Sequence, residues 1–149
     1  MTLQAAPSES PPLWLVAPYF LFAPLGLVAG GLLLAFAPRD VFVGINIPRT
    51  VAITHAVVIG WITTTIMGAS YQLGPAVIGG RLLSLRLARV QFWLHAVSVI
   101  GFVWSLFEWR TLAMSVAGVC LALSFTLYLV NAFVSLSRGR TWSLARAYL

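Results

Sequence analysis

The sequence predicts an all-α integral membrane protein built as a four-helix unit. Three observations carry that prediction. Of 149 residues, 60% are hydrophobic and only 8% are charged, whereas a soluble domain is about half apolar and about a quarter charged. The apolar residues gather into four runs, each long enough for the ~20 residues that a bilayer-crossing helix needs. The arginines fall between those runs, where the orientation of a membrane protein is written. One domain suits this length.

The first span is expected over residues 13–37. Trp14 and Tyr19 near its start suit the headgroup boundary, where amphipathic rings collect. Pro24 should kink it, because proline removes one backbone bond and crowds the preceding turn. Gly26 and Gly30, four apart, let a neighbouring backbone approach closely. The second span is expected over 51–78, bounded by Pro48-Arg49-Thr50 and by Gly79-Gly80-Arg81, and it is long enough to cross with tilt. The third runs over 88–107 between Arg86-Arg89 and Glu108-Trp109-Arg110, and the fourth over 111–136. Residues 1–12 carry no positive charge and contain Glu9 and three prolines. They lack the basic start of a secretory signal and are expected to form a flexible tail. Residues 137–149 make a basic cytoplasmic tail. The chain shows no strong internal repeat and no low-complexity segment.

The net charge is +6, and all nine basic residues are arginine. No basic face or aromatic RNA-binding motif accompanies them, so nucleic acid is not an expected partner. Arg81, Arg86, Arg89, Arg138, Arg140 and Arg146 fall on one side of the four-span topology. Arg39, Arg49 and Arg110 fall on the other. The excess places both termini in the cytoplasm. Cys120, the single cysteine, lies within an apolar run and is most simply a small packing residue.

Helical spacing assigns faces. At about 100° per residue, Gly60, Thr64 and Gly68 share a stripe suited to close packing. His55, Ile59, Ile62, Ile66 and Leu73 share the opposite stripe, which would meet lipid, another subunit or a large flat cofactor. In the fourth span, Ala113, Ala117, Cys120, Ser124, Tyr128, Asn131 and Ser135 share one face. Bundle packing explains that face most simply, and a quinone or a water file along Tyr128 and Asn131 is the alternative.

The two histidines, His55 and His95, both lie inside spans, where ionisable groups are costly. Either could be a structural histidine bonded to a nearby carbonyl or hydroxyl, with Thr54 or Gln91 as partner. Two imidazoles make a poor zinc site, which takes three or four protein ligands. A haem needs only one or two axial ligands among apolar walls, so haem fits better. The histidines differ in depth by roughly 10–15 Å, from ~1.5 Å rise per residue. A single haem bridging them within one chain is therefore not expected, and His55 would instead pair with a copy from another subunit. Arg39 and Arg49, at the outer end of the second span, are propionate candidates. His95 is a secondary ligand candidate.

A family resemblance enters at the second span. Thr54-His55-Ala56-Val57-Val58-Ile59-Gly60-Trp61, followed by Met67-Gly68-Ala69-Ser70-Tyr71-Gln72-Leu73-Gly74-Pro75, resembles a haem-ligand helix of the haem-copper oxidase subunit I superfamily. It is most similar to the cbb3-type and nitric oxide reductase branch and to short subunit I-like proteins. Gln91-Phe92-Trp93-Leu94-His95 and Gly101 resemble the opening of the next helix. The similarity covers about residues 50–107. It implies that His55 is an axial ligand of a low-spin haem b, and that the chain resembles one of the three four-helix arcs of the family's twelve-helix subunit. It further implies a homo-oligomer, trimer or dimer, in a bacterial or archaeal plasma membrane. The chain departs from the family in lacking the three histidines of the catalytic copper site and the family's His-x-His pair. Oxygen or nitric oxide reduction by this chain alone is therefore not expected. The reading that follows is a small b-type cytochrome for electron transfer or for redox or gas sensing. Its alternatives are a haem-free accessory or assembly subunit of a respiratory complex and a quinol-handling subunit.

Overall fold

The computed structural model describes residues 11–78 and 81–137. Most of the expected N-terminal tail and nearly all of the basic C-terminal tail lie outside them. The described residues form helices joined by short connections, with four helices long and apolar enough to cross a membrane. It is a multi-pass membrane protein, as composition requires.

Helix α1 (Leu13–Ala35) runs unbroken through Pro18 and Pro24. A short 3-10 turn (Arg39–Phe42) follows, pinned to the next helix by the Thr50 hydroxyl, which donates to the Val41 carbonyl at 2.8 Å. The second span has three parts: α2 (Pro48–His55), a π-helical stretch (Ala56–Thr63) and α3 (Thr64–Ile78). Pro48 occupies the first turn of α2, where its missing N–H costs nothing and its fixed φ is already helical. Helix α4 (Leu85–Phe107) starts three residues earlier than expected. Ser84 caps it by accepting a bond from the Leu87 N–H, and such caps satisfy an orphan donor of the first turn. Helix α5 (Thr111–Ser137) closes the unit.

The turn from α4 to α5 is tight. Trp109 adopts a left-handed φ of 53°, its N–H bonds the Leu106 carbonyl, and the Arg110 N–H bonds the Ser105 carbonyl at 2.8 Å. This is a Schellman ending with tryptophan where glycine is usual. It returns the chain antiparallel, and α5 packs along the length of α4.

One end of the bundle carries the start of α1, the connection to α4 and the end of α5. The opposite end carries the Arg39–Phe42 turn and the Glu108–Arg110 turn. The aromatic core, with Tyr19, Met67, Tyr71 and Phe92 among its members, fills the half nearer the termini. Tyr19 is fully buried there, in edge contact with Phe92 and Tyr71. It is therefore a core residue rather than the boundary residue expected from sequence.

The π stretch decides which residues meet. In an uninterrupted α-helix, residues four apart drift by about 40° per step. An i→i+5 segment winds less per residue and removes that drift. Ala52, Ala56, Gly60, Thr64 and Gly68 therefore stay on one face, and all are buried. That face meets α1: a Cβ built on Gly26 would lie 2.5 Å from the Gly60 carbonyl carbon, and one on Gly68 would lie 2.7 Å from the Tyr19 Cβ. The two expected small-residue patches thus pack on each other. The same underwinding corrects the opposite stripe. It turns Ile62, Ile66 and Leu73, all exposed, away from His55 by roughly the angle of one extra residue, ~100°.

Candidate functional site

His55 ends α2, and the π stretch begins at the next residue. Its ring is half-buried and meets Phe102 of α4 edge-on, with centroids 5.5 Å apart. Nδ1 lies 2.7 Å from the Val51 carbonyl oxygen. A carbonyl can only accept, so Nδ1 carries the proton and Nε2 keeps its lone pair. That nitrogen has no hydrogen-bond partner among the described residues. The expected partner, Thr54, bonds the Thr50 carbonyl instead. A ligand histidine anchored through one nitrogen to a backbone carbonyl is the usual way to fix ring orientation and tautomer for a metal.

His95 is a different kind of residue. It is fully buried in α4, edge-on to Phe125, and its Nε2 lies 3.0 Å from Thr64 Oγ1. The Thr64 hydroxyl has one proton and donates it to the Ile59 carbonyl at 3.0 Å. His95 therefore donates from Nε2, and Nδ1 is left as an unpaired, enclosed acceptor. Gln91, its expected partner, is engaged elsewhere. His55 stands nine residues from Thr64 along the second span, so the rings lie at depths about 10–14 Å apart. They do not converge on one site, and among the described residues no three histidine, cysteine or carboxylate groups cluster for a metal.

Arg49 shares the seam of His55. Its guanidinium sits over the Phe107 ring at 5.6 Å, so α2 lays Arg49 on Phe107 and His55 on Phe102 of the same helix. Six residues separate the two on α2, about 9 Å along its axis. Arg39 lies in the short turn at the same end and is exposed. On the other side of α2, an apolar groove of about 480 Å³ runs between α1 and α4, bordered by Phe22, Leu25, Ala29, Val103 and Ala56. His55 does not border it.

The polar face of α5 is spent inside the bundle. Asn131 accepts from the Ser84 N–H and donates to the Ser84 carbonyl, both at 3.1 Å, and reaches Tyr71 at 3.4 Å. Ser135 accepts from the Leu83 N–H at 2.8 Å. Ser124 accepts from Gln91 Nε2 at 3.1 Å, and Gln91 Oε1 accepts from Tyr19. These groups tie α5 to the start of α4. Sequence reasoning did not find Tyr19 or the Val51 carbonyl as partners. A carbonyl leaves no trace in side-chain pattern, and a tyrosine one turn inside a span looks like a boundary residue.

Residues 1–123 match the model of the family cytochrome c and quinol oxidase polypeptide I. The chain belongs to that family. The matched region runs from α1 well into α5 and contains both histidines, Arg39 and Arg49. No curated protein and no solved structure matches. The family binds haem, and the residues here fit such a group at one place. His55 presents an oriented, unengaged Nε2 on a ring held against Phe102, with Arg49 along the same seam. Haem-copper oxidase subunit I carries a copper site of three histidines, and this member has two histidines in all.

Proposed function

We propose that this chain is a haem b-binding membrane protein, a small subunit I-like cytochrome, in which His55 is an axial ligand. The supporting observation is the bond from His55 Nδ1 to the Val51 carbonyl, which leaves Nε2 aimed away from the backbone with its lone pair available. When bound, haem b would supply a one-electron couple or a gas-sensing iron, chemistry that no side chain of this protein offers. The chain's own part is to fix the imidazole, hold it edge-on to Phe102, and set guanidinium charge where propionates need partners. Arg49 is the nearer candidate for that pairing, and Arg39 a second at the same end. With six arginines against three, the terminal end of the bundle faces the cytoplasm of a bacterial or archaeal plasma membrane. His55 then lies toward the outer surface.

The test is spectroscopic. The chain, expressed with haem available and purified in detergent, should show a b-type reduced-minus-oxidised band. His55→Ala should abolish that band, and His95→Ala should leave its position unchanged. A folded, colourless wild-type protein would refute the proposal and favour a haem-free accessory subunit. Persistence of the band in His55→Ala would move the ligand elsewhere.

A further inference from the structure

The terminal end of the bundle holds a cleft that the haem reading does not use. Helices α1 and α4 run parallel, and near their starts they enclose about 260 Å³ bordered by Trp14, Leu15, Pro18, Arg89, Phe92 and Trp93. The Arg89 guanidinium stacks 4.4 Å over the Trp14 ring. Trp14 is 47% exposed and Trp93 62% exposed, as expected of rings at a headgroup boundary. Arg89 makes no ion pair with any described residue. The carboxylate-bearing residues of the described chain, Asp40 and Glu108, both belong to turns at the opposite end.

A cation at the membrane boundary needs an anion, and here the described bundle offers none nearby. Stacking on Trp14 holds the guanidinium plane fixed and leaves its N–H edge free. That edge fits two oxygens of a phosphate in parallel bonds. The rest of the cleft is apolar, with Leu15, a proline and three aromatic rings. Its chemistry therefore has two parts, one anionic and fork-matched, one greasy. We propose that this cleft binds an anionic phospholipid, with its phosphate on Arg89 and the upper acyl chains against Pro18, Phe92 and Trp93. Basic pockets between membrane helices on the cytoplasmic side are suited to such headgroups.

Native mass spectrometry of the full chain in detergent tests this, with phosphatidylglycerol and phosphatidylcholine titrated in parallel. The wild type should retain phosphatidylglycerol with roughly five-fold or greater preference, the ratio expected of one arginine near a charged surface. Arg89→Gln should remove most of that preference. Trp14→Leu, which keeps the charge and loses the stacking, should lower it, and Arg110→Gln at the opposite end should leave it unchanged. Inorganic phosphate should neither be retained nor compete, because half of the site is apolar. Circular dichroism melts of each variant identify unfolded protein, and Arg89→Lys provides a milder replacement that should keep part of the preference. Equal retention of both lipids by the wild type, or a preference intact in Arg89→Gln and Trp14→Leu together, overturns the proposal. So does a preference that appears only when Glu9 is changed to Gln, since Arg89 would then be neutralised within the chain.

Discussion

Thr64 shows how one hydroxyl serves two helices. It donates to the Ile59 carbonyl, which the π stretch displaces from ordinary α-helical bonding, and it accepts from His95 of α4. Thr64→Val keeps the shape and removes both bonds. His95 would then have both nitrogens buried without partners. A buried polar group left unpaired costs about 1–3 kcal/mol, while side-chain bonds between membrane helices average about 0.6 kcal/mol. Thr64→Val should therefore destabilise the bundle by about 1–2 kcal/mol, measured by reversible unfolding in mixed detergent, with the b-type band of the folded fraction unmoved. Were that band to shift, His95 would belong to the cofactor site after all. The contrast between the histidines was half legible in the sequence. Their depth separation follows from spacing alone, whereas the case for His55 as the axial ligand came from the family resemblance of the second span. Their partners were not legible, because the Val51 carbonyl has no side-chain signature and Thr64 meets His95 only through the packing of two spans.

The second span is the element whose winding sets the packing of the bundle. Its small residues at four-residue intervals were visible, as was the glycine pair of α1, and both were expected to pack closely on something. That they pack on each other required the π stretch, which no composition rule announces. Underwinding keeps five small or buried positions in line and turns the isoleucines away from His55. The expected continuous wall of His55, Ile59, Ile62 and Ile66 therefore does not form. π-Helical turns are rare and frequently mark functional sites, and this one begins immediately after His55. Close packing at Gly26 has a direct consequence. A methyl group there would meet the Gly60 carbonyl carbon at 2.5 Å, the Trp61 nitrogen at 2.8 Å and the Ala56 oxygen at 2.9 Å, all backbone atoms that cannot rotate aside. Gly31, five residues further along α1, has nothing within 4 Å of such a methyl. Gly26→Ala should force the helices apart and cost about 1–3 kcal/mol. Gly31→Ala should fall within about 0.5 kcal/mol of wild type. Detergent unfolding curves of the two variants compare them directly, and equal costs would contradict the Gly26–Gly60 contact.

At the level of assembly, the proposed haem site draws only one axial ligand from each chain. His55 offers one nitrogen from a half-buried position, and His95 lies too far in depth to supply a second ligand to the same iron. A second axial ligand, where one binds, would come from a small molecule or from another protein chain. Symmetry narrows the choice among assemblies of this chain. If two copies of one residue are the two axial ligands, the copies are related by a two-fold axis through the site, and the contact is isologous. A trimer would leave one His55 without a mate, so the coordination arithmetic favours a dimer over the trimer that an arc-like unit also permits. Loading should then be one haem per two chains, and cofactor and dimer should stabilise each other, because a ligand that binds only the assembled form shifts the equilibrium toward it. Sedimentation of haem-loaded wild type should show a dimer with half-stoichiometric haem, and His55→Ala should shift toward monomer at the same concentration. Co-expression of wild type with His55→Ala should produce mixed dimers that fail to hold low-spin haem, so haem per wild-type chain falls as the mutant fraction rises. A monomer carrying one haem would remove the two-fold assembly while leaving His55 as the ligand. The open coordination position would then turn the reading from electron transfer toward gas sensing.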